Sequence, residues 1–291
     1  MAQEINSPTE AEFDHATVEL RELVNARIHS GKMELPVLPE AASQVVTLSY
    51  DENCDISQLT GIIKRDQSLS GNVLRISNSP IYNTGMQIKS LDHAVSRLGM
   101  KKVREIALII SCESRVFAIK GFEAEVRVLF QHSLAAAGFA EEIARIKRWN
   151  VEECFLCGLL HDIGRPVLFQ VVADIEKERS CTFARLAVKA ISDEIHAGLG
   201  GQMVKAWALP ERLSESISYH HNPLAAPTAS QHAQLTRLSS DLAHMLVGPK
   251  EFSESDIREH PMLAPLNLYE EEVDKIMAAR EKVAVLVEAI T

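Results

Sequence analysis

His161 and Asp162 stand side by side in the run Gly158-Leu159-Leu160-His161-Asp162-Ile163-Gly164, directly after the apolar stretch 155–160. That stretch reads as a buried helix, and a histidine and a carboxylate at its end are costly to bury unless something compensates them. A metal ion is the most economical compensation, because imidazole nitrogen and carboxylate oxygen both ligate borderline divalent metals. Five further residues offer the same donors: His132, His196, the adjacent His220 and His221, and Asp241. Each falls within or at the end of a helix-patterned segment, which suits a bundle that gathers side chains inward. The mixture of nitrogen and oxygen donors favours one or two iron, manganese, nickel or zinc ions over calcium, which prefers all-oxygen sites. Any one of these histidines alone reads more simply as a surface or satisfied core residue. The adjacent pairs His161-Asp162 and His220-His221 weaken that reading. Arg165, one helical turn beyond Asp162, could stabilise phosphate charge. Its simpler reading, a charge at a helix C-terminus worth roughly 0.3–1 kcal/mol, needs no catalysis and is preferred.

Helices must position these groups, because apolar residues recur at helical spacing almost throughout and long period-two alternation is missing. Phe13, Leu20, Leu23, Val24 and Ile28 mark a first helix stopped by Gly31. Residues 35–39 carry two prolines and read as an extended connector into a helix over 40–49. Asp55 caps a helix over 56–64, Asp66 or Ser68 one over 69–77, and Ser90 one over 91–98 that ends at Gly99 before helix resumes over 101–112. The second group holds a long helix over 123–147, the doublet helix over 151–163 and shorter pieces up to 189. Helices over 193–208, 211–221, 228–247 and 269–289 follow. The expected fold class is all-α, with its best internal seam near Gly121.

Cys154 and Cys157 lie three apart on one helix face and read as small core hydrophobes; without a second pair, zinc and redox roles are disfavoured. Gly198, Gly200 and Gly201 read as close helix contact, because no strand precedes them as a phosphate loop requires. Trp207 reads as core. The loop from Asn78 to Gly85 could be a recognition loop, but Asn78 reads more simply as a helix stop whose side chain satisfies local backbone, with Tyr82 left open.

The chain's 291 residues fit one large domain or two small ones, and 46% hydrophobic with 24% charged residues predicts a full-sized core. A net charge of −10 argues against a nonspecific grip on nucleic acid. No apolar run is expected to reach the roughly 18 residues of a membrane helix, and there is no basic-then-apolar leader. Five cysteines without framework spacing suit a reducing cytoplasm.

Several stretches together resemble the HD superfamily, and within it the HDOD subgroup of bacterial signalling proteins, over about 33–247. Leu35-Pro36-Val37-Leu38-Pro39 looks like the subgroup's opening motif. Asp66-Gln67-Ser68-Leu69-Ser70 with Val73-Leu74-Arg75-Ile76-Ser77-Asn78-Ser79 is similar to its first signature, and Ile88-Lys89-Ser90-Leu91-Asp92-His93-Ala94-Val95 with Leu98-Gly99 to its next helix. The doublet run, His196-Ala197-Gly198-Leu199-Gly200, Trp207-Ala208-Leu209-Pro210 and Tyr219-His220-His221-Asn222-Pro223 complete the resemblance. It implies an HDOD helical bundle with an amino-terminal helical subdomain over 33–120 and an HD-type metal-binding subdomain over 121–248. Outside it, the residue pattern gives a polar tail and amphipathic helix over 1–32 and a helical extension over 249–291.

The resemblance also implies metal ligands at His132, His161, Asp162 and Asp241, with Asp162 able to bridge a second ion and His196, His220 and His221 as additional ligands. Three departures bear on the substrate. The chain runs Asn222-Pro223-Leu224 where the cyclic-dinucleotide phosphodiesterases carry a Gly-Tyr-Pro signature. Arg165 replaces their usual lysine, and Val128 removes a carboxylate that some trinuclear relatives supply. The preferred expectation is a bacterial signal-transduction or regulatory protein that retains the metal site. Its alternative is a metal-dependent phosphohydrolase acting on a nucleotide or cyclic dinucleotide through a metal-bound hydroxide, with Asp162 and Arg165 catalytic. Expected partners are a nucleotide or phosphoester ligand and signalling proteins, without nucleic acid or membrane; the amphipathic end helices leave a homodimer open.

Overall fold

Short polar side chains set where the helices begin. In the computed structural model of the protein, which describes residues 10–30, 36, 40–49, 55–80, 82, 85, 87–113, 118–248 and 252–291, every helix-start cap expected near the amino terminus is formed. Asp55 accepts from the Gln58 amide at 2.8 Å while Gln58 Oε1 accepts from the Asp55 amide at 3.1 Å. Asp66, rather than Ser68, accepts from the Leu69 amide at 2.9 Å, and Ser90 accepts from the His93 amide at 3.2 Å. Each cap satisfies an orphan donor and contributes about 1 kcal/mol.

Among the described residues the chain is all-α. The helices are α1 (Glu10–His29), α2 (Glu40–Ser49), α3 (Ile56–Ile63), α4 (Gln67–Ser77), α5 (Leu91–Ser111), α6 (Glu123–Lys147) and α7 (Val151–Leu160). They continue with α8 (Gly164–Arg179), α9 (Arg185–Ala206), α10 (Glu211–Tyr219), α11 (Ser230–Ala243), α12 (Glu254–Arg258), α13 (Glu270–Ala278) and α14 (Arg280–Ile290). The tail 1–9, the Gly31 stop and all of the 35–39 connector except Pro36 lie outside the described residues. Pro36 accepts a 2.8 Å hydrogen bond from Trp207 Nε1, so Trp207 is a core residue with its polar edge satisfied.

The break expected at Gly99 is present: the backbone leaves helical geometry there at a φ of 76° that only glycine adopts without strain, and helix resumes to Ser111. Several other boundaries differ from expectation. The doublet helix ends at Leu160 rather than 163, leaving His161 and Asp162 in the tight link to α8. Helix α9 starts at Arg185, well before 193, and α12 was not anticipated. The expected helix over 269–289 is two, α13 and α14, meeting at Ala279. The expectation of no membrane-length apolar run is also corrected: Val151–Arg179 reaches that length and hydropathy, but 89% of its most apolar window is buried inside the bundle. That stretch therefore reads as a core element.

The larger core joins Val73, Ile106 and Leu108 to Phe139, Phe155, Leu238 and Leu286 without a break. A smaller one packs α1 (Leu20, Val24) over Leu168, Val172 and Ile191, with Phe122 stacked on Phe169 at 4.9 Å. Helices α6 and α7 approach closely because α6 presents Ala135, Ala136 and Ala137 and α7 presents Gly158. A Cβ on Gly158 would lie 2.6 Å from the Ala136 carbonyl oxygen and 2.7 Å from Ala137 Cα. Gly200 and Gly201 are likewise contact glycines, whereas a Cβ on Gly198 would meet nothing within 4 Å. Asn78 does what its helix-stop reading expects: its amide donates to Leu74 and Ile88 carbonyls at 2.9 and 2.8 Å and accepts from the Ile88 amide at 2.8 Å.

Candidate metal centre

Helix α6 brings His132, the link between α7 and α8 brings His161 and Asp162, α9 brings His196, and the end of α10 brings His220 and His221. Their donor atoms form two compact sets, His132 with His161 and Asp162, and His196 with His220 and His221, each spanning no more than 4.8 Å. Asp162 joins the sets. Its Oδ1 lies 3.1 Å from His196 Nε2 and 3.9 Å from His220 Nε2, while its Oδ2 lies 3.6 Å from His161 Nε2.

Hydrogen bonds fix which nitrogen carries the proton in three of the rings. His161 Nδ1 donates to the Gly158 carbonyl at 2.7 Å, His196 Nδ1 to Ser192 at 2.6 Å and His220 Nδ1 to Ile217 at 2.7 Å. A carbonyl only accepts, so in each neutral ring Nε2 is left as a bare lone pair. His196 Nε2 and His220 Nε2 then face each other at 3.4 Å, and His161 Nε2 is buried without a hydrogen-bond partner. Lone pairs converging on a carboxylate in a buried site call for a cation. Burial, followed by neighbouring charge, holds His132 and His220 well below the ordinary imidazole value, and burial lowers His161 despite Asp162, so a proton is a poor choice of cation there. Burial alone would raise the Asp162 carboxyl, yet His161 and Arg165 more than offset this and hold it well below the usual carboxylate range. Anionic oxygen, bare Nε2 atoms and Nδ1–H groups tied to backbone are what a divalent metal requires of its ligands and their outer partners. The residues fit the ion.

Asp241 stands apart from both sets, and His221 lies within one of them but differs from its neighbours in hydrogen bonding. Asp241 lines the same cavity of about 470 Å³ but belongs to neither set; its Oδ2 accepts from Arg237 Nε at 2.6 Å and from His260 Nε2 at 2.9 Å. His221 Nε2 lies 2.9 Å from His196 Nε2, but its Nδ1 faces the donor Arg237 Nη1 at 3.2 Å instead of a carbonyl. Arg165 is held by Asp162 (3.0 Å), Asp193 (2.6 Å) and Ser192 Oγ (3.2 Å), and Lys189 by Asp193 at 2.8 Å. Val128 is 44% exposed on the cavity wall, so no carboxylate reaches in from that position.

Sequence reasoning missed Arg237, His244 and His260. Arg237 and His244 flank Asp241 at one turn on α11 and its cap, a spacing that could have flagged them. The His244 ring lies 4.3 Å from that of His132, tilted by 39°. His260 follows the five-residue α12, where no periodicity points inward. Cys154 and Cys157 are buried, with burial pushing the Cys157 thiol up to about 12, so both are inert core residues.

An all-helical fold with a histidine–aspartate centre defines the class, and the comparisons with known proteins agree. The HDOD domain matches over residues 35–223, and the chain belongs to that family. A presumptive metal-dependent phosphohydrolase from Shewanella amazonensis superposes with a TM-score of 0.74 at 16% identity, covering 95% of this chain and 100% of that one. An HDOD domain protein of unknown function from Geobacter sulfurreducens gives 0.71 at 23%, covering 94% and 98%. At these identities the likeness establishes the fold. Among curated relatives, an uncharacterized protein of Treponema pallidum is 23% identical over 229 residues, and Ribonuclease Y of Mycoplasmoides gallisepticum is 23% identical over 170. These alignments take in 76% and 55% of this chain but only 43% and 27% of the relatives, so the chain spans less than half the length of either.

Proposed function

We propose that the chain is an HDOD regulatory protein whose histidine–aspartate centre holds a divalent metal ion and passes its occupancy, or that of a ligand beside it, to a signalling partner. His161, Asp162, His196 and His220 would hold the ion, with His132 completing the set on the α6 side. The observation that carries a regulatory role over turnover is the state of the cavity's cations. Arg165 and Lys189 are both engaged by Asp193, and Arg237 by Asp241, so no cation among these three stands ready for a phosphate.

Hydrolysis of a nucleotide or other phosphoester is the second reading, favoured by the reach of Asp162 to both histidine sets. A divalent ion there would supply polarisation of a phosphoryl oxygen and lower the proton affinity of water. In that reading Asp162 orients the centre, and Arg165 has to exchange one carboxylate partner for the ligand.

Elemental analysis of the purified wild type beside the His161→Ala/Asp162→Ala variant tests the shared premise. The wild type should retain near-stoichiometric transition metal and the variant little; equal content in both removes the metal reading. Turnover of any member of a phosphoester panel by the metal-loaded wild type, absent in the variant, would move the assignment from regulator to hydrolase.

A further inference from the structure

The geometry points to His221 as a hydrogen-bond donor that faces the cavity, set in that role by a relay from His260 through Asp241 and Arg237, and not as a metal ligand. This rests on the metal reading of the neighbouring residues, but it is decided by a different set of contacts.

The relay can be followed donor by donor. The Met262 amide donates to His260 Nδ1 at 3.2 Å, so the proton of the neutral His260 ring sits on Nε2. That Nε2–H donates to Asp241 Oδ2 at 2.9 Å, and the same oxygen accepts from Arg237 Nε at 2.6 Å. Anchored there, Arg237 turns Nη1 toward His221 Nδ1 at 3.2 Å. A guanidinium has donors and no acceptor, so His221 Nδ1 must present its lone pair and the neutral ring carries its proton on Nε2. His221 Nε2–H in turn donates to the bare Nε2 of His196 at 2.9 Å.

The three neighbouring imidazoles show the opposite arrangement. His161, His196 and His220 each tie Nδ1–H to a backbone carbonyl and offer a bare Nε2, and they are 0–1% exposed. His221 offers a proton where they offer a lone pair, and it is the exposed member of its set. Coordination through His221 Nε2 would move the proton to Nδ1, against a cation that cannot accept it. An ion that takes the His196 lone pair therefore releases His221 Nε2–H, which lies on the cavity wall, to donate to an oxygen of whatever anion or carbonyl ligand enters. The same relay explains why Asp241 stands outside both donor sets: its carboxylate holds Arg237.

Long-range proton–nitrogen NMR on the metal-free, ¹⁵N-histidine-labelled protein reads the tautomer directly and needs no variant. His221 is expected as the Nε2–H form; an Nδ1–H ring overturns the proposal. Arg237→Met should shift His221 toward the Nδ1–H form while His161 and His220 keep Nδ1–H, and an unchanged His221 signal would also overturn it. A second arm titrates zinc alone against a competing chelator. His221→Gln should lose less than the roughly tenfold that marks an outer partner, and His220→Ala more than about 100-fold; equal losses refute the donor role. Failure of the wild type to bind zinc defeats the metal reading alone, and the wild-type tautomer then decides the donor assignment.

Discussion

Gly158→Ala should loosen the α6–α7 seam and weaken the metal centre together. The added Cβ would sit 2.6 Å from the Ala136 carbonyl oxygen and 2.7 Å from both Ala136 C and Ala137 Cα, where ordinary contact begins at 3.4 Å. All three neighbours are backbone, so no rotamer change relieves the clash; one helix must move by roughly 0.7–0.8 Å. Overpacking of this kind costs about 1–3 kcal/mol, and rigid backbone on the far side puts this site at the upper end. Exchanging glycine for alanine in a helix returns about 1 kcal/mol, leaving a net loss of about 2 kcal/mol. The displacement runs between His132 on α6 and His161 after α7, and ligand distances tolerate only about 0.2 Å, so zinc affinity should fall at least about tenfold. Urea unfolding and chelator competition read the two effects. Gly198→Ala is the control: it is exposed on α9 with nothing near its Cβ, so it should be neutral or stabilising by up to about 1 kcal/mol with unchanged zinc affinity. A Gly158→Ala protein with wild-type midpoint and affinity would refute the close backbone approach on which the positioning of His132 depends.

Asn78→Ala should cost about 2–3 kcal/mol, because it orphans the amide and carbonyl of Ile88 together, and the Ile88 amide should exchange faster with solvent; unchanged exchange would contradict the clamp. Arg104 and Glu152 form a buried ion pair between α5 and the first turn of α7. Arg104→Met alone should cost about 3–5 kcal/mol, whereas Arg104→Met/Glu152→Met should recover most of it; a double variant as unstable as the single would argue against pairing as the cause. Acid should destabilise the metal-free chain. Burial holds His132, His161 and His220 neutral, and burial with His196 pushes His221 from an ordinary 6.5 down to about 4. The unfolded chain then binds more protons than the folded one as pH falls below about 6.5, so stability drops through the window from 6.5 to 4. The depressed Asp162 and Asp241 carboxyls act in the same direction, but only as pH falls through and below their ordinary 3.8. A urea midpoint that stays flat between pH 7 and 5 in chelator would contradict the neutral cluster.

Where a boundary is written in a side chain, the sequence is legible. Asp55, Asp66 and Ser90 announce helix starts because each fills an orphan donor, and Gly99 announces a kink because its φ is positive. Helix α9 starts without a side-chain cap at Ala184, and α13 gives way to α14 at Ala279 without glycine or proline, so neither event leaves a mark in residue type. The doublet and the paired histidines were legible as donors, because buried polar residues beside apolar runs demand compensation. Their division of labour was not. Whether a histidine offers a lone pair or a proton depends on what meets its other nitrogen, and for His221 that is an arginine from α11, itself aimed by a histidine beyond α12.

Adjacency in the doublet also has a geometric consequence. Consecutive residues on helical backbone point about 100° apart, and His161 keeps helical dihedrals at the end of α7. Its ring therefore sits between α6 and the end of α10, 5.3 Å from the rings of both His132 and His220, while Asp162 turns toward α9 and its Oδ1 meets His196 at 3.1 Å. The carboxylate restores the connection with its second oxygen, 3.6 Å from His161 Nε2. Two neighbours in sequence thus serve two different helix interfaces, and Asp162 is the group whose two oxygens face both. Under the proposed regulatory reading, a movement of α6 against α9 would change the distances from Asp162 to both histidine sets, so the doublet is where ion occupancy and helix packing would be coupled.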